Sequence, residues 1–254
     1  MERIDRLTPR QPPAEAAILR QRWRDLLFLH WSVEPEVLRP LVPSRLGLDL
    51  FGGRAWVALT PFRLTGVRPR LLPPIPPVSR FGEVNVRTYV HLDGRDPGVW
   101  FFSLDASSRL AAMAARLTYR LPYHTATIRY ESSGGRYRFA ARRDSGGHCE
   151  VVWDVPAGGT PAQAKPGNLD FFLVERYLLY AEHDGDLLQA RVHHQPYPLL
   201  RARLAGCSQD LVQRAGIVLP RGQRPVVHFS PGVDVDVFAP HVATRAAART
   251  PPLA

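Results

Sequence analysis

The sequence predicts an α+β domain, mostly antiparallel strands in a closed or nearly closed sheet. Three observations carry that prediction. Short segments alternate between apolar and polar residues, as in EVNVRTYV at 83–90, and side chains that alternate along a chain mark a half-buried strand. Gly-Gly and Asp-Gly turn signals separate such segments. Only two longer stretches carry the spacing of a substantial helix.

The elements follow in order. LLFLHWSV (26–33) is a first strand. EPEVLRPLVP (34–43) is a short helix, with Pro35 in its first turn and Pro40 or Pro43 ending it. LGLDLFGGRAWVALTPFRL (46–64) reads as a hairpin about Gly52-Gly53. RPRLLPPIPPVSR (68–80) is a proline-rich loop of the kind that covers or rims something. EVNVRTYV then pairs with VWFFSLDA (99–106) across the turn DGRDPG. SSRLAAMAARLTYRL (107–121) is the clearest helix, capped by Ser107 or Ser108, with Leu110, Met113, Ala114, Leu117 and Leu121 as a core stripe. Asp105 joins the serines as a capping residue. YHTATIRYESSGGRYRFAARR (123–143) is a hairpin turning at Gly134-Gly135, and CEVVWDV (149–155) extends its sheet. NLDFFLVERYLLYA (168–181) is a second helix with Asn168 as cap. DLLQARVHHQPYPLLRARL (186–204), a short helix near SQDLVQRAG (208–216) and a last strand RPVVHFSPGVDVDVF (224–238) complete the body. One domain is expected over 16–238, between a disordered arm at 1–15 and a flexible tail at 239–254.

Composition narrows the function. The chain has 254 residues, 45% of them hydrophobic, enough for a sizeable core. No apolar run reaches the roughly 20 residues of a membrane helix. The N-terminus carries no secretory signal, so a cytoplasmic, non-membrane protein is expected. The net charge of +10 invites nucleic acid as a partner. Lys165 is the only lysine, however, and the arginines are scattered and accompany no DNA- or RNA-binding motif. Nucleic-acid association therefore ranks as the third reading. Cys149 and Cys207 read as buried small hydrophobes. His193 and His194 are adjacent and would face opposite sides of a strand, so no metal site is expected. Asp234 and Asp236 read as a solvated strand face. No G-x-S-x-G elbow or phosphate loop is present.

FLHWSVEPEVLRPLVP, GRAWVALTPFRLTGVRP, NVRTYV, GVWFFSLDA, LPYHTATI, ERYLLYA and VVHFSPGVDVDVF together resemble the YqjF-like family of uncharacterised bacterial proteins, domain of unknown function 2071, over about Trp23 to Phe238. That family is similar to the acetoacetate decarboxylase-like superfamily. The resemblance implies an antiparallel barrel or cone with helices packed outside, a site in its interior, and a tendency to assemble into homo-oligomers. The decarboxylase uses a Schiff-base lysine beside a glutamate and an arginine. Glu83 matches the glutamate. Pro122 matches in the lysine segment, but Tyr123 and His124 stand where lysines would be. Neither can form an imine, and Lys165 lies in a loop at GGTPAQAKPGN. Schiff-base decarboxylation is therefore rejected, and no cofactor is expected.

On this fold the odd face of EVNVRTYV turns inward, while Val84, Val86 and Val90 pack under helices. Glu83, Tyr123 and His124 are the candidate acid–base residues. Arg63, Asn85, Arg87 and Tyr89 are the candidate ligand-binding residues. An interior Glu83 and Arg87 must pair with each other or with a guest, and a guanidinium suits a carboxylate or carbonyl compound. The expected function is binding of such a small molecule, with lysine-independent lyase or hydratase-type chemistry. A non-enzymatic binding or sensing protein of the same fold is the alternative.

Overall fold

The computed structural model describes residues 4–76 and 78–244. In chain order the strands are β1 (Leu19–Val33), β2 (Leu46–Leu48), β3 (Ala55–Pro69), β4 (Arg80–Leu92), β5 (Arg95–Ala106), β6 (Tyr123–Ser133), β7 (Arg136–Arg143), β8 (His148–Asp154), β9 (Leu178–His183), β10 (Asp186–His194), β11 (Arg203–Gln209), β12 (Val226–Val237) and β13 (His241–Thr244). The helices are α1 (Pro35–Leu38), α2 (Arg109–Tyr119), α3 (Leu169–Val174) and α4 (Leu211–Arg214). Among the described residues no helix is long and apolar enough to cross a membrane.

The pairings close on themselves. β1 pairs with β3, β3 with β4, β4 with β5, β5 with β9, β9 with β10, β10 with β12, and β12 with β1. A ring of this kind leaves no edge among its members. Most pairings are antiparallel, but β5 runs parallel to both β6 and β9. Gly98 permits the β5–β9 closure: a Cβ there would lie 2.7 Å from the Leu178 carbonyl oxygen. β6, β7, β8 and β11 form a second sheet that continues from β5.

Alternation along each ring strand feeds two cores. In β1, Leu26 and Phe28 join the interior cluster, while Leu27 and Leu29 join a second one. In β4, Tyr89 is interior, and Val84 and Val86 face outward. That outer core contains Leu38 of α1 and Leu211 of α4, as expected for helices outside the ring, and also Phe139, Val151 and Trp153 of the second sheet. The outer wall is thus partly sheet. Val90 belongs to a third, smaller cluster.

Several expectations change. LGLDLFGG does not form a long hairpin with β3. Phe51 and Arg54 make one bridge about Gly52-Gly53, and β2 pairs with β4 instead. The helix that starts at Asn168 ends at Val174, and LLYAEH is a strand. Pairing with β5 and β10 outweighs the local helical pattern. Asn168 does cap, accepting from the Phe171 N–H at 2.8 Å. Ser108 caps α2, accepting from the Ala111 N–H at 3.3 Å, but of the predicted apolar stripe Leu121, just past the helix, is core and the rest is not. Leu110, Met113 and Leu117 are 57%, 49% and 62% exposed, because the helix buries Ala112 and Tyr119 instead. Asp105 is no cap: it is buried in an ion pair with Arg143. Cys149 is buried and Cys207 exposed. Part of the expected N-terminal arm is ordered against the body, where Arg6 pairs with Asp49. His241–Thr244, within the expected tail, pairs with β10. Residues 1–3 and 245–254, the rest of the arm and tail, lie outside the described residues.

Candidate ligand pocket in the ring

The ring encloses a cavity of about 570 Å³ that opens beside α2. Strand alternation decides what it contains. Odd residues of β4 face inward, and the partners opposite them on β3 share that face: Arg87 with Ala58, Asn85 with Thr60, Glu83 with Phe62, Phe81 with Leu64. Phe28, Leu104, Tyr123, Arg176 and Tyr197 complete the lining that matters chemically.

Of the predicted residues, Glu83, Asn85, Arg87 and Tyr123 come together in the cavity. Glu83 is 3% exposed and accepts a hydrogen bond from the Tyr123 hydroxyl at 2.9 Å. Burial raises its carboxyl from 4.5 to about 7, although hydrogen bonds from Tyr123 and Asn85 pull the other way. The same burial, with Glu83 next to it, holds the Tyr123 hydroxyl well above its usual range.

Glu83 and Arg87 do not pair. They lie four residues apart on one strand, about 13 Å between backbones. Arg87 lies deeper, its guanidinium 5.7 Å from the Phe28 ring centroid. Among the described residues no carboxylate forms an ion pair with it. Its Nε is buried with no hydrogen-bond partner, and so are Asn85 Oδ1 and Thr60 Oγ1, which flank one register position.

Three predicted residues sit elsewhere. Tyr89 lies below Arg87 outside the cavity, its hydroxyl donating to the Leu173 carbonyl at 2.7 Å and in hydrogen-bond contact with the Arg87 side chain. Arg63 is on the opposite strand face from Phe62 and Leu64. It pairs with Asp25, whose backbone at φ +53° sits in an irregular part of β1, and it covers the Tyr130 ring at 4.2 Å. His124 follows Tyr123 on β6 and so points away from it. It stands opposite Asp105, where burial and the nearby Arg143 lower its pKa.

The sequence reading passed over Thr60, Arg176 and Tyr197. Thr60 was legible, being two residues from Phe62 on an alternating strand. Arg176 was hidden by the assumption that its segment was helical. It pairs with Asp49 at 2.7 Å beneath the cavity and lies over the Tyr89 and Phe172 rings. Tyr197 comes from an irregular stretch with no periodic signal. Lys165 is exposed in a loop and lines no part of the cavity. No group of three or more His, Cys, Asp or Glu among the described residues could hold a metal.

The arrangement offers a carboxyl poised to gain or lose a proton near neutrality, a phenol bonded to it, and a deeper unpaired cation. Known structures share this architecture. The acetoacetate decarboxylase of Legionella pneumophila matches with a TM-score of 0.62 at 12% identity, covering 92% of each chain. The enduracididine biosynthesis enzyme MppR complexed with pyruvate matches with a TM-score of 0.58 at 13% identity, over 91% of this chain and 93% of that one. In sequence, the uncharacterized protein YqjF of Bacillus subtilis is 38% identical over 218 residues, 86% of this chain and 89% of that protein. The model of the family described as an uncharacterized conserved protein, DUF2071, matches residues 20–234, and the chain belongs to that family.

Proposed function

We propose that the ring interior binds a small molecule bearing a carboxylate or carbonyl, and that Glu83 and Tyr123 carry out acid–base chemistry on it without a covalent lysine intermediate. One observation carries the binding half: Arg87 Nε, Asn85 Oδ1 and Thr60 Oγ1 are buried and unpartnered around one region of the cavity. Leaving such groups unsatisfied costs several kcal/mol in aggregate, about 1–3 each. A ligand carboxylate or carbonyl with a neighbouring hydroxyl would satisfy them. MppR, of the same fold, is known in complex with pyruvate, which carries both groups.

The chemical half rests on Glu83. A carboxyl that titrates at about 7 can both accept and return a proton at neutral pH. Enolisation, hydration or dehydration, or a lyase step would use it, with the Tyr123 O–H stabilising the charged form. The spacing also favours a second reading, binding without turnover. An acid as small as pyruvate, held by Arg87, would not reach Glu83.

The test follows solvent deuterium incorporation next to the carbonyl of a panel of oxo acids whose carbonyl stands progressively further from the carboxylate, read by NMR, with binding followed in parallel. Glu83→Gln should retain binding and lose at least about a hundredfold in exchange rate. Binding with no exchange by the parent protein leaves the carrier reading. Binding unaffected by Arg87→Met removes the proposal altogether.

A further inference from the structure

The wall outward of Arg87 says more about the guest than its head group does. Along the interior from Asn85 to the mouth, Phe62, Leu64, Phe81, Leu104, Leu121 and Val237 give the wall an apolar face around Glu83 and Tyr123. The charged residues of the whole lining are Arg68 at the outer end of β3, Glu83, Arg87 and Arg176. Of these, Arg176 is taken by Asp49, and Glu83 is engaged by the Tyr123 hydroxyl. A cavity of about 570 Å³ falls in the range that encloses drug-sized ligands. A three-carbon acid on Arg87 would leave nearly all of this apolar wall against water. The apolar surface does not stop at the mouth. Ile18 and Leu110, which line the cavity, are 38% and 57% exposed, and Met113 and Leu117 continue outward along α2.

Building on the binding reading above, we infer that the ligand is an organic acid with a single anionic head and a long apolar body. Its carboxylate meets Arg87, a hydroxyl on its first carbons meets Asn85 Oδ1 and Thr60 Oγ1, and its hydrocarbon part runs past Glu83 and Tyr123 toward α2. This assignment also resolves the mismatch between Glu83 and Arg87. A long acid spans the depth between them, so a carbonyl, hydroxyl or double bond a few carbons from the head group lies beside Glu83.

The experiment is calorimetric titration of the whole protein with the saturated acids acetate, butanoate, hexanoate, octanoate and decanoate, kept below their micelle concentrations. The alkylammonium ions of the same lengths serve as controls. Affinity should rise about fourfold per added methylene, the burial of one CH₂, until the cavity is full. The heat-capacity change should become more negative with length. The ammonium series should bind at least about tenfold more weakly at each length. Arg87→Met, which keeps a side chain of similar length, should weaken every acid by about thirtyfold or more. If acetate and decanoate bind equally but both need Arg87, the apolar-body inference fails while the binding reading stands. If chain length matters but the charge of the head does not, the site is only a greasy hole and both fail.

Discussion

Replacing Glu83 with glutamine tests the electrostatics of the pocket without requiring a known ligand. In the folded chain the carboxyl titrates at about 7, and its ordinary value is 4.5. Below pH 4.5 it is protonated in both folded and unfolded states and contributes no pH dependence. Between 4.5 and 7 the folded state holds a proton that the unfolded state has released, so stability falls as pH rises. Above 7 the folded carboxylate is ionised in a site that disfavours charge, and the full penalty is in force. The gap corresponds to about 3 kcal/mol. Glutamine keeps the size of the side chain and an oxygen to accept from Tyr123, but it never ionises. Glu83→Gln should therefore match the parent within about 1 kcal/mol near pH 4.5 and be more stable by about 3 kcal/mol at pH 8. Urea denaturation of both proteins at half-unit pH intervals gives the difference, and all other titrating groups cancel in it. A difference that stays flat from pH 4.5 to 8 would refute the reasoning, since Glu83 would then ionise as an exposed carboxylate does.

Other outcomes follow from the same structure. Arg87→Met should leave the unliganded protein at least as stable as the parent by denaturant titration, because it removes a buried cation with no carboxylate partner. Asp105→Ala should cost about 3–5 kcal/mol in the same assay, because it strands Arg143, whose side chain is 9% exposed, between the ring and the second sheet. Lys165→Ala should change neither ligand affinity nor deuterium exchange, and borohydride should trap no adduct with oxo acids in the parent protein. A thiol reagent should modify Cys207 alone in the native state and Cys149 only on unfolding, since Cys149 is 1% exposed and burial pushes its thiol well up.

What the sequence made legible was local periodicity. EVNVRTYV declared its two faces, and both faces are where alternation put them: Glu83, Asn85 and Arg87 inside, Val84 and Val86 outside. The same rule applied to Tyr123 and His124 would have separated them, because neighbours on a strand cannot share a face. It would likewise have separated Arg63 from Phe62. The errors arose where a segment's fate depended on a distant partner. LLYAEH carries helical spacing and becomes a strand because β5 and β10 offer ladders on both sides. The leucines of α2 carry core spacing and remain exposed because the helix rests on Ala112 and Tyr119. Arg176 became visible only once Asp49 and the ring base were assembled around it.

The spacing of Glu83 and Arg87 also bears on how one strand can carry the two groups proposed for acid–base chemistry and for anion binding. Had the arginine stood two residues from the glutamate, on the same face and at the same depth, its charge would have favoured the carboxylate and pulled the pKa down. At four residues the cation is absent from the influences on Glu83, and burial dominates instead. The carboxyl is thus poised near neutrality because the strand keeps the guanidinium out of reach. The same separation leaves Arg87 uncompensated and available to an anion. A guest that neutralises Arg87 should therefore shift the titration of Glu83 little. A profile of exchange rate against pH should keep its inflection near 7 whether Arg87 is occupied or replaced by methionine, even as affinity falls. An inflection that moves by a full pH unit in Arg87→Met would mean that the two groups are coupled and that depth along β4 does not insulate them.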